Sequence, residues 1–175
     1  MVALRKTETP MLVTTYLEMT SRSGFRPAYI SGTHFTIEQM QTLDVNFYRF
    51  LYNAVGEQWC WRERNLLSDA ELTAILAQSK VYVLYCDGVP AGYVELAPHG
   101  SEMEIAYFGI RPAYFGRGFG KHLLSYGIAQ AWASGASRVW LHTCNLDSPQ
   151  ALDNYLKRGF KVYDVQRERM PELFL

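Results

Sequence analysis

The residues from Ile110 to Lys121 (IRPAYFGRGFGK) carry the densest chemical signal in this chain. Gly116, Gly118 and Gly120 leave the main chain bare, so several amide N–H groups can converge on one anion. A strand is predicted before the loop and a helix after it, and the amino-terminal end of a helix adds a positive dipole. Arg111, Arg117 and Lys121 lie in the same stretch with no acid among them. The pattern suits a phosphate or pyrophosphate; a turn that only lets the helix pack closely would use the same glycines. Two phosphate loops are excluded. A P-loop needs glycine where Phe115 stands and Ser or Thr where His122 stands. A dinucleotide fingerprint needs a parallel βαβ unit, whereas the strands before this loop read as a meander.

Other reactive side chains are fewer. Glu102 and Glu104 share one face of a predicted strand, where each can raise the other's pKa. His142 and Cys144 lie two apart on another strand. A Cys–His nucleophile pair or a metal site is conceivable there, but two ligands of ordinary type are too few, and a core cysteine with a half-buried histidine is the expectation. His122 either touches a phosphate beside Lys121 or sits plainly on a helix surface. No metal is expected.

The elements that must position these groups follow from periodicity. Met11–Thr20 alternates as a strand, and Ser21–Gly32 has turn chemistry throughout. Thr36 can open a helix that continues through Phe47, Tyr48, Phe50, Leu51, Tyr52 and Val55 to Gly56. Ser68 with Glu71 forms a capping box for a short helix to about Gln78. Lys80–Cys86, Ala91–Leu96 and Glu102–Ile110 read as three strands, joined by Asp87-Gly88 and by a turn over Pro98–Ser101. A helix from Gly118 to about Ala133, a strand over Arg138–Cys144, a helix capped by Ser148 and closed by Gly159, and a strand from Phe160 to Val165 complete the order β-α-α-β-β-β-α-β-α-β. The class is mixed α/β (α+β) with a largely antiparallel sheet.

The chain has 175 residues, 49% hydrophobic and 19% charged, which fits one domain over 1–175 with a real core. Its 17 basic and 17 acidic residues cancel, so a broad basic face for nucleic acid is not expected. Three cysteines at wide spacing argue against a disulfide framework and for a reducing compartment. No apolar run reaches the ~18 residues of a membrane span, and Met1–Pro10 does not look like a signal peptide. A cytoplasmic protein without membrane or nucleic-acid partners is the expectation.

The glycine loop resembles the signature of the GNAT superfamily of acyl-coenzyme-A-dependent N-acyltransferases, Gln/Arg-x-x-Gly-x-Gly/Ala. Gly118 and Gly120 match its glycines, and Phe115 departs from its Gln/Arg position. EIAYFGIRP before the loop and Asn145, Ala151, Tyr155, Gly159 and Phe160 after it extend the likeness over about 81–165, leaving 11–78 without a signature. The resemblance implies a single GNAT-type domain whose sheet splays between its fourth and fifth strands, with acetyl-coenzyme A in the gap. Main-chain groups at Phe108, Gly109 and Ile110 would pair with the pantetheine arm. The amides of Gly116, Arg117, Gly118, Phe119, Gly120 and Lys121 would hold the pyrophosphate, and Asn145 and Ser148 would line the far side. A backbone N–H near Phe108 or Gly109 could meet the oxyanion.

The implied reaction is attack of a primary amine, on a small molecule or a protein, on the thioester. An alkyl amine with pKa near ~10 is less than ~1% neutral at pH 7, so a base is needed. Glu104 matches the position used as base in histone-type members, with Glu95 and Glu102 in reserve. Tyr155 matches the family tyrosine that protonates or hydrogen-bonds the departing sulfur. Trp59, Cys60 and Trp61 either wall the acceptor site, on the 11–78 side, or are core. Homodimers are common in the family, but the sequence shows no interface signature. The alternative is a non-catalytic acyl-coenzyme-A-binding module; the sequence does not identify the amine or restrict the acyl group to acetyl.

Overall fold

A computed structural model describes residues 10–175; the reading of Met1–Pro10 therefore falls on residues outside the described part, Pro10 excepted. Among the described residues, seven strands form one open sheet in the order β2-β3-β4-β5-β6-β1-β7. They are β1 (Met11–Met19), β2 (Phe35–Gln39), β3 (Lys80–Cys86), β4 (Val89–His99), β5 (Glu102–Ile110), β6 (Arg138–Cys144) and β7 (Lys161–Arg169). The helices are α1 (Val45–Gly56), α2 (Asp69–Leu76), α3 (Phe119–Ala133) and α4 (Ala151–Lys157). Only β5 and β6 pair parallel; every other neighbour is antiparallel. Among the described residues, no helix is long and apolar enough to cross a membrane.

Two clusters fill the core. Leu123, Leu124 and Ile128 of α3 pack with Leu84, Val94, Leu96 and Leu141 of the sheet. Tyr48, Leu51, Tyr52 and Val55 of α1 and Leu72 and Leu76 of α2 pack with Val81, Val83 and Tyr93. Val81 and Val83 alternate with Tyr82 and Leu84 between the two clusters, the period-two signature of a strand covered on both faces. The capping box at Ser68 and Glu71 forms as expected.

The sequence reading needs correction at three places. Thr36 does not open a helix. Phe35–Gln39 is an edge strand on β3, and α1 starts later, with Asp44 accepting the Phe47 N–H at 2.8 Å. The alternation of Phe35 and Ile37 carries the strand signal, since both pack against the core while their neighbours face out. The predicted fourth and fifth strands are therefore β5 and β6. Second, β4 runs through Pro98 to His99 before a tight turn at Gly100-Ser101. Beyond Leu96, β4 pairs with β5 and no longer with β3, so a residue without an N–H is tolerated there. Third, α4 begins at Ala151 without a side-chain cap, because the Ser148 hydroxyl bonds to Gln150 inside the preceding turn.

A buried ion pair ties the segment between α1 and α2 to the sheet. Glu95 of β4 is fully buried and accepts hydrogen bonds from Arg64 (2.8 Å), Ser79 (3.2 Å) and the Tyr48 hydroxyl. Arg49 of α1 holds the same segment through the carbonyls of Arg64 (2.9 Å) and Leu67 (2.7 Å). Burial pushes the Glu95 pKa up, and Arg64, Tyr48 and Ser79 pull it only part of the way back. Removing one partner of a buried pair strands the other. Arg64→Leu should therefore cost about 3–5 kcal/mol of stability at pH 7. Because the Glu95 pKa is raised, this loss should shrink as pH falls and Glu95 takes up a proton. Urea denaturation at pH 7 and pH 5 checks the sign, and Arg64→Leu combined with Glu95→Gln should lose less than Arg64→Leu alone.

Candidate active site

The parallel pairing of β5 with β6 covers Glu102–Glu104 against Arg138–Trp140 and then stops. At the same place β5 carries a bulge: Ile105 opposes Leu96 and Tyr107 opposes Glu95, leaving Ala106 as the extra residue. A bulge bends its strand, and here it coincides with the point where β5 parts from β6. Arg138 clamps the closed end, reaching Glu18 of β1 at 2.6 Å and Glu102 at 2.9 Å.

A cavity of about 900 Å³ fills the gap. Its walls are Glu104–Ile110 of β5, His142 and Cys144 of β6, the start of α3, Tyr155 of α4, and Trp59–Trp61 with Glu63 and Arg64 from the segment between α1 and α2. The Arg111 N–H donates to Ala91 on the β4 side at 2.8 Å. By alternation, the main-chain groups of Ile110 and Phe108 point to the open side and those of Gly109 toward β4. Gly109 lacks a side chain for a packing reason, since a Cβ there would collide with Val55 of α1.

The glycine loop closes one end of the cavity. Gly118 is the N-cap of α3 in the left-handed region (φ +79°) and offers no side-chain cap, and no acid lies in the first turn. Gly116 is also left-handed, with open space where a Cβ would stand. A Cβ on Gly120 would meet nothing nearer than Asn154 Nδ2 at 3.9 Å. Gly116, Gly118, Phe119, Gly120 and Lys121 all line the cavity. An uncapped terminus of a long helix, with bare glycines and a lysine beside it, fits a pyrophosphate. Arg117 is absent from the lining, and its guanidinium lies over the Tyr114 ring at 5.2 Å.

Glu104 sits where the strands part. Its side chain is 13% exposed, with His99 Nε2 at 2.7 Å from Oε2 and His142 Nδ1 at 3.7 Å from Oε1. Of the reserve carboxylates, Glu95 is buried outside the cavity lining and Glu102 is taken by Arg138. Tyr155 is buried against Phe108 and Phe160, and burial followed by the charge of Asp147 pushes its pKa far up. Its hydroxyl makes no hydrogen bond to the described residues.

Two of the residues singled out from the sequence, Asn145 and His122, have other duties. Asn145 is not in the lining; its side chain accepts the Val13 N–H at 2.9 Å and donates to the Met11 carbonyl at 3.0 Å, tying β6 to β1. His122 accepts the Ile30 N–H through Nδ1 at 3.1 Å and packs edge-on to Phe35, so it pins the Ser21–Gly32 segment to α3. Ser148 does line the cavity, ahead of α4.

The structure adds residues that no motif marks. Asp147 accepts from Trp61 Nε1 at 3.3 Å, Thr143 Oγ1 at 2.6 Å and the Cys144 N–H at 3.0 Å, bracing the Trp61 segment against the end of β6. Trp61 packs among Tyr52, Tyr93 and Tyr107 while also facing the cavity, so it is both wall and core. Glu63 Oε2 accepts from the Tyr52 hydroxyl and the Arg62 N–H, each at 3.2 Å. Contacts between residues far apart in sequence leave no local pattern to read.

The chain matches the acetyltransferase (GNAT) family over residues 39–160. Mycothiol acetyltransferase of Corynebacterium efficiens is 32% identical over 107 residues, which is 61% of this chain and 36% of that protein. Among solved structures, a GCN5-related N-acetyltransferase of Sphaerobacter thermophilus superposes with a TM-score of 0.64 at 17% identity, covering 91% of this chain and 52% of the other. An IAA acetyltransferase of Bacillus cereus gives 0.58 at 22% identity, covering 74% and 79%. The chain thus spans about a third of the curated relative it matches.

Cys144 offers a probe of the cavity. Burial first, then the Asp147 carboxylate, raises its thiol pKa, and the thiolate is the reactive form. Alkylation of Cys144 by iodoacetamide should be slow at pH 7 and still be climbing at pH 9, where an ordinary thiol has largely levelled. Asp147→Asn should speed the reaction at pH 7, as followed by peptide mass spectrometry.

Proposed function

The chain belongs to the GNAT acetyltransferase family, and from that premise we propose that it transfers an acetyl group from acetyl-coenzyme A to a primary amine. The observation that carries this reading is one continuous cavity, lined by an uncapped helix terminus, an open strand edge, a buried tyrosine and the Glu104 carboxylate at the point where the strands part. Acetyl-coenzyme A, when bound, supplies an activated acyl group and a thiol leaving group. Every other part of the proposed chemistry belongs to this chain.

The first-turn amides of α3, with Lys121, hold the pyrophosphate. The open edge of β5 at Phe108 and Ile110 pairs with the pantetheine arm as a missing strand would. Glu104 takes a proton from the acceptor ammonium, leaving the neutral amine to attack. The Phe108 N–H faces the gap and is the better donor to the developing oxyanion; Gly109 is turned toward β4. Tyr155 donates a hydrogen bond to the leaving sulfur. Its raised pKa keeps it a phenol through the working pH range, so it stabilises the thiolate without surrendering its proton. The acceptor meets the aromatic wall of Trp59 and Trp61, with Glu63 beside it, which suits a cationic amine; the Tyr107 ring is already covered by the Arg64 guanidinium at 5.0 Å.

Thiol release from acetyl-coenzyme A, read with a dithiol reagent over a panel of a monoamine, a diamine, an amino-acid amide, an aminosugar and a lysine peptide, tests the activity. Coenzyme A binding without thiol release for any amine would favour a binding module instead. Glu104→Gln should lower turnover roughly 10²–10⁴-fold. Gly120→Asp should abolish coenzyme A binding by calorimetry with the fold kept, because space is open and an acid in the first turn suits the helix. Tyr155→Phe should leave coenzyme A affinity nearly unchanged and cut turnover about 10–100-fold, the worth of a hydrogen bond to a charged atom. The loss should be smaller for thioesters of more acidic thiols.

A further inference from the structure

We propose that His99 is the proton outlet of the site, carrying to solvent the proton that Glu104 collects in each turnover. This rests on the reading of Glu104 as the base. The geometry shows why an outlet is needed. Glu104 is 13% exposed, and its exposure opens onto the cavity that acetyl-coenzyme A and the amine would fill. Its Oε2 lies 2.7 Å from His99 Nε2, whereas His142 stands 3.7 Å from Oε1. His99 lines the same cavity, and its side chain is half exposed against 13% for Glu104, so the carboxylate oxygen it touches reaches water through the imidazole.

The extension of β4 past Pro98 makes this contact. Ala97 lies opposite Glu104, and His99, two residues on, falls on the same face of the sheet. The ring is also held 5.4 Å from that of Trp140, the β6 partner of Glu104. The other charged or titratable groups around the pair are Glu102 of β5, held by Arg138 of β6, His142 of β6, and the buried Glu95 of β4, whose charge interacts with that of Glu104. Arg138 is engaged with Glu102 and Glu18 and does not compete for Glu104.

The proton count closes. The Glu104 carboxylate takes one proton from the substrate ammonium, giving the free amine and a carboxylic acid. At rest the Nε2–H of neutral His99 donates to the carboxylate. Once Glu104 holds the substrate's proton, the half-exposed ring shifts through water to its Nδ1–H tautomer. The carboxyl group then turns its proton to Oε2 and passes it to the freed Nε2, restoring the carboxylate and forming an imidazolium. The imidazolium gives one proton to water, and the half-exposed ring re-equilibrates between its two neutral tautomers. One proton has moved from substrate to solvent with both side chains returned to their starting states.

The test uses the whole chain and the amine with the fastest thiol release in the panel above. His99→Ala should lower kcat roughly 10–100-fold in dilute buffer, within the range of proton-transfer catalysis, and change the amine KM less than twofold. Added imidazole should restore kcat in proportion to its concentration. The loss in Glu104→Gln should not be restored by imidazole. In the free protein, the ring-nitrogen NMR shifts of His99 should change on Glu104→Gln and stay put on Glu102→Gln. Unchanged kcat in His99→Ala, or a loss that neither imidazole nor concentrated buffer relieves, overturns the outlet. A Glu104→Gln protein as active as the parent overturns the base itself, a different result from either.

Discussion

The site depends on a single failure of pairing. β5 and β6 are the one parallel pair in the sheet, and they stay together for three residues before parting. Continued pairing would consume the edge of β5 and erase the cavity. Parting leaves unpaired main-chain groups in an otherwise covered region, an arrangement that costs free energy unless a ligand or water takes their place. The gap holds because both sides of it are fixed. Arg138 joins β1, β5 and β6 at the closed end, and the bulge at Ala106 bends β5 away just beyond it. β6 is meanwhile held from its other edge by β1, partly through Asn145.

The second requirement is a wall. The segment between α1 and α2 has little regular structure and would not keep its place by hydrogen bonds of its own. Charged side chains fix it instead, through the buried Arg64 on Glu95, the partly exposed Arg49 on two carbonyls, and Asp147 on Trp61. A buried ion pair adds little net stability compared with apolar packing. What it adds here is position, because Glu95 accepts from three different elements at once. Fold and site are thus coupled: residues that wall the cavity also complete the core beneath it.

Burial also assigns chemistry. Tyr155 and Glu104 line the same cavity, yet their surroundings differ. Apolar rings enclose the tyrosine and hold its proton on, while imidazoles flank the glutamate. In the proposed reaction, a hydrogen-bond donor for a leaving sulfur and an acceptor for an ammonium proton need those opposite environments.

The sequence by itself determined what is local. The glycine spacing at 116, 118 and 120, the capping box at Ser68, the Asp87-Gly88 turn between β3 and β4 and the Tyr155-to-Phe160 pattern each lie within a few residues. Backbone freedom, capping and alternation are properties of neighbours, so the letters suffice to read them. The tertiary structure decided whatever depends on which distant residues meet. Asn145 lies within reach of Met11 and Val13 only after β1 and β6 pair, and His122 is committed to Ile30 only after the Ser21–Gly32 segment folds over α3. His99 reaches Glu104 because β4 runs two residues past Ala97 along β5, and Trp61 meets Asp147 in the cavity wall. None of these pairings has a period or a spacing. Each follows from strand register and from the point where two strands cease to pair, which the summed packing of the whole chain sets.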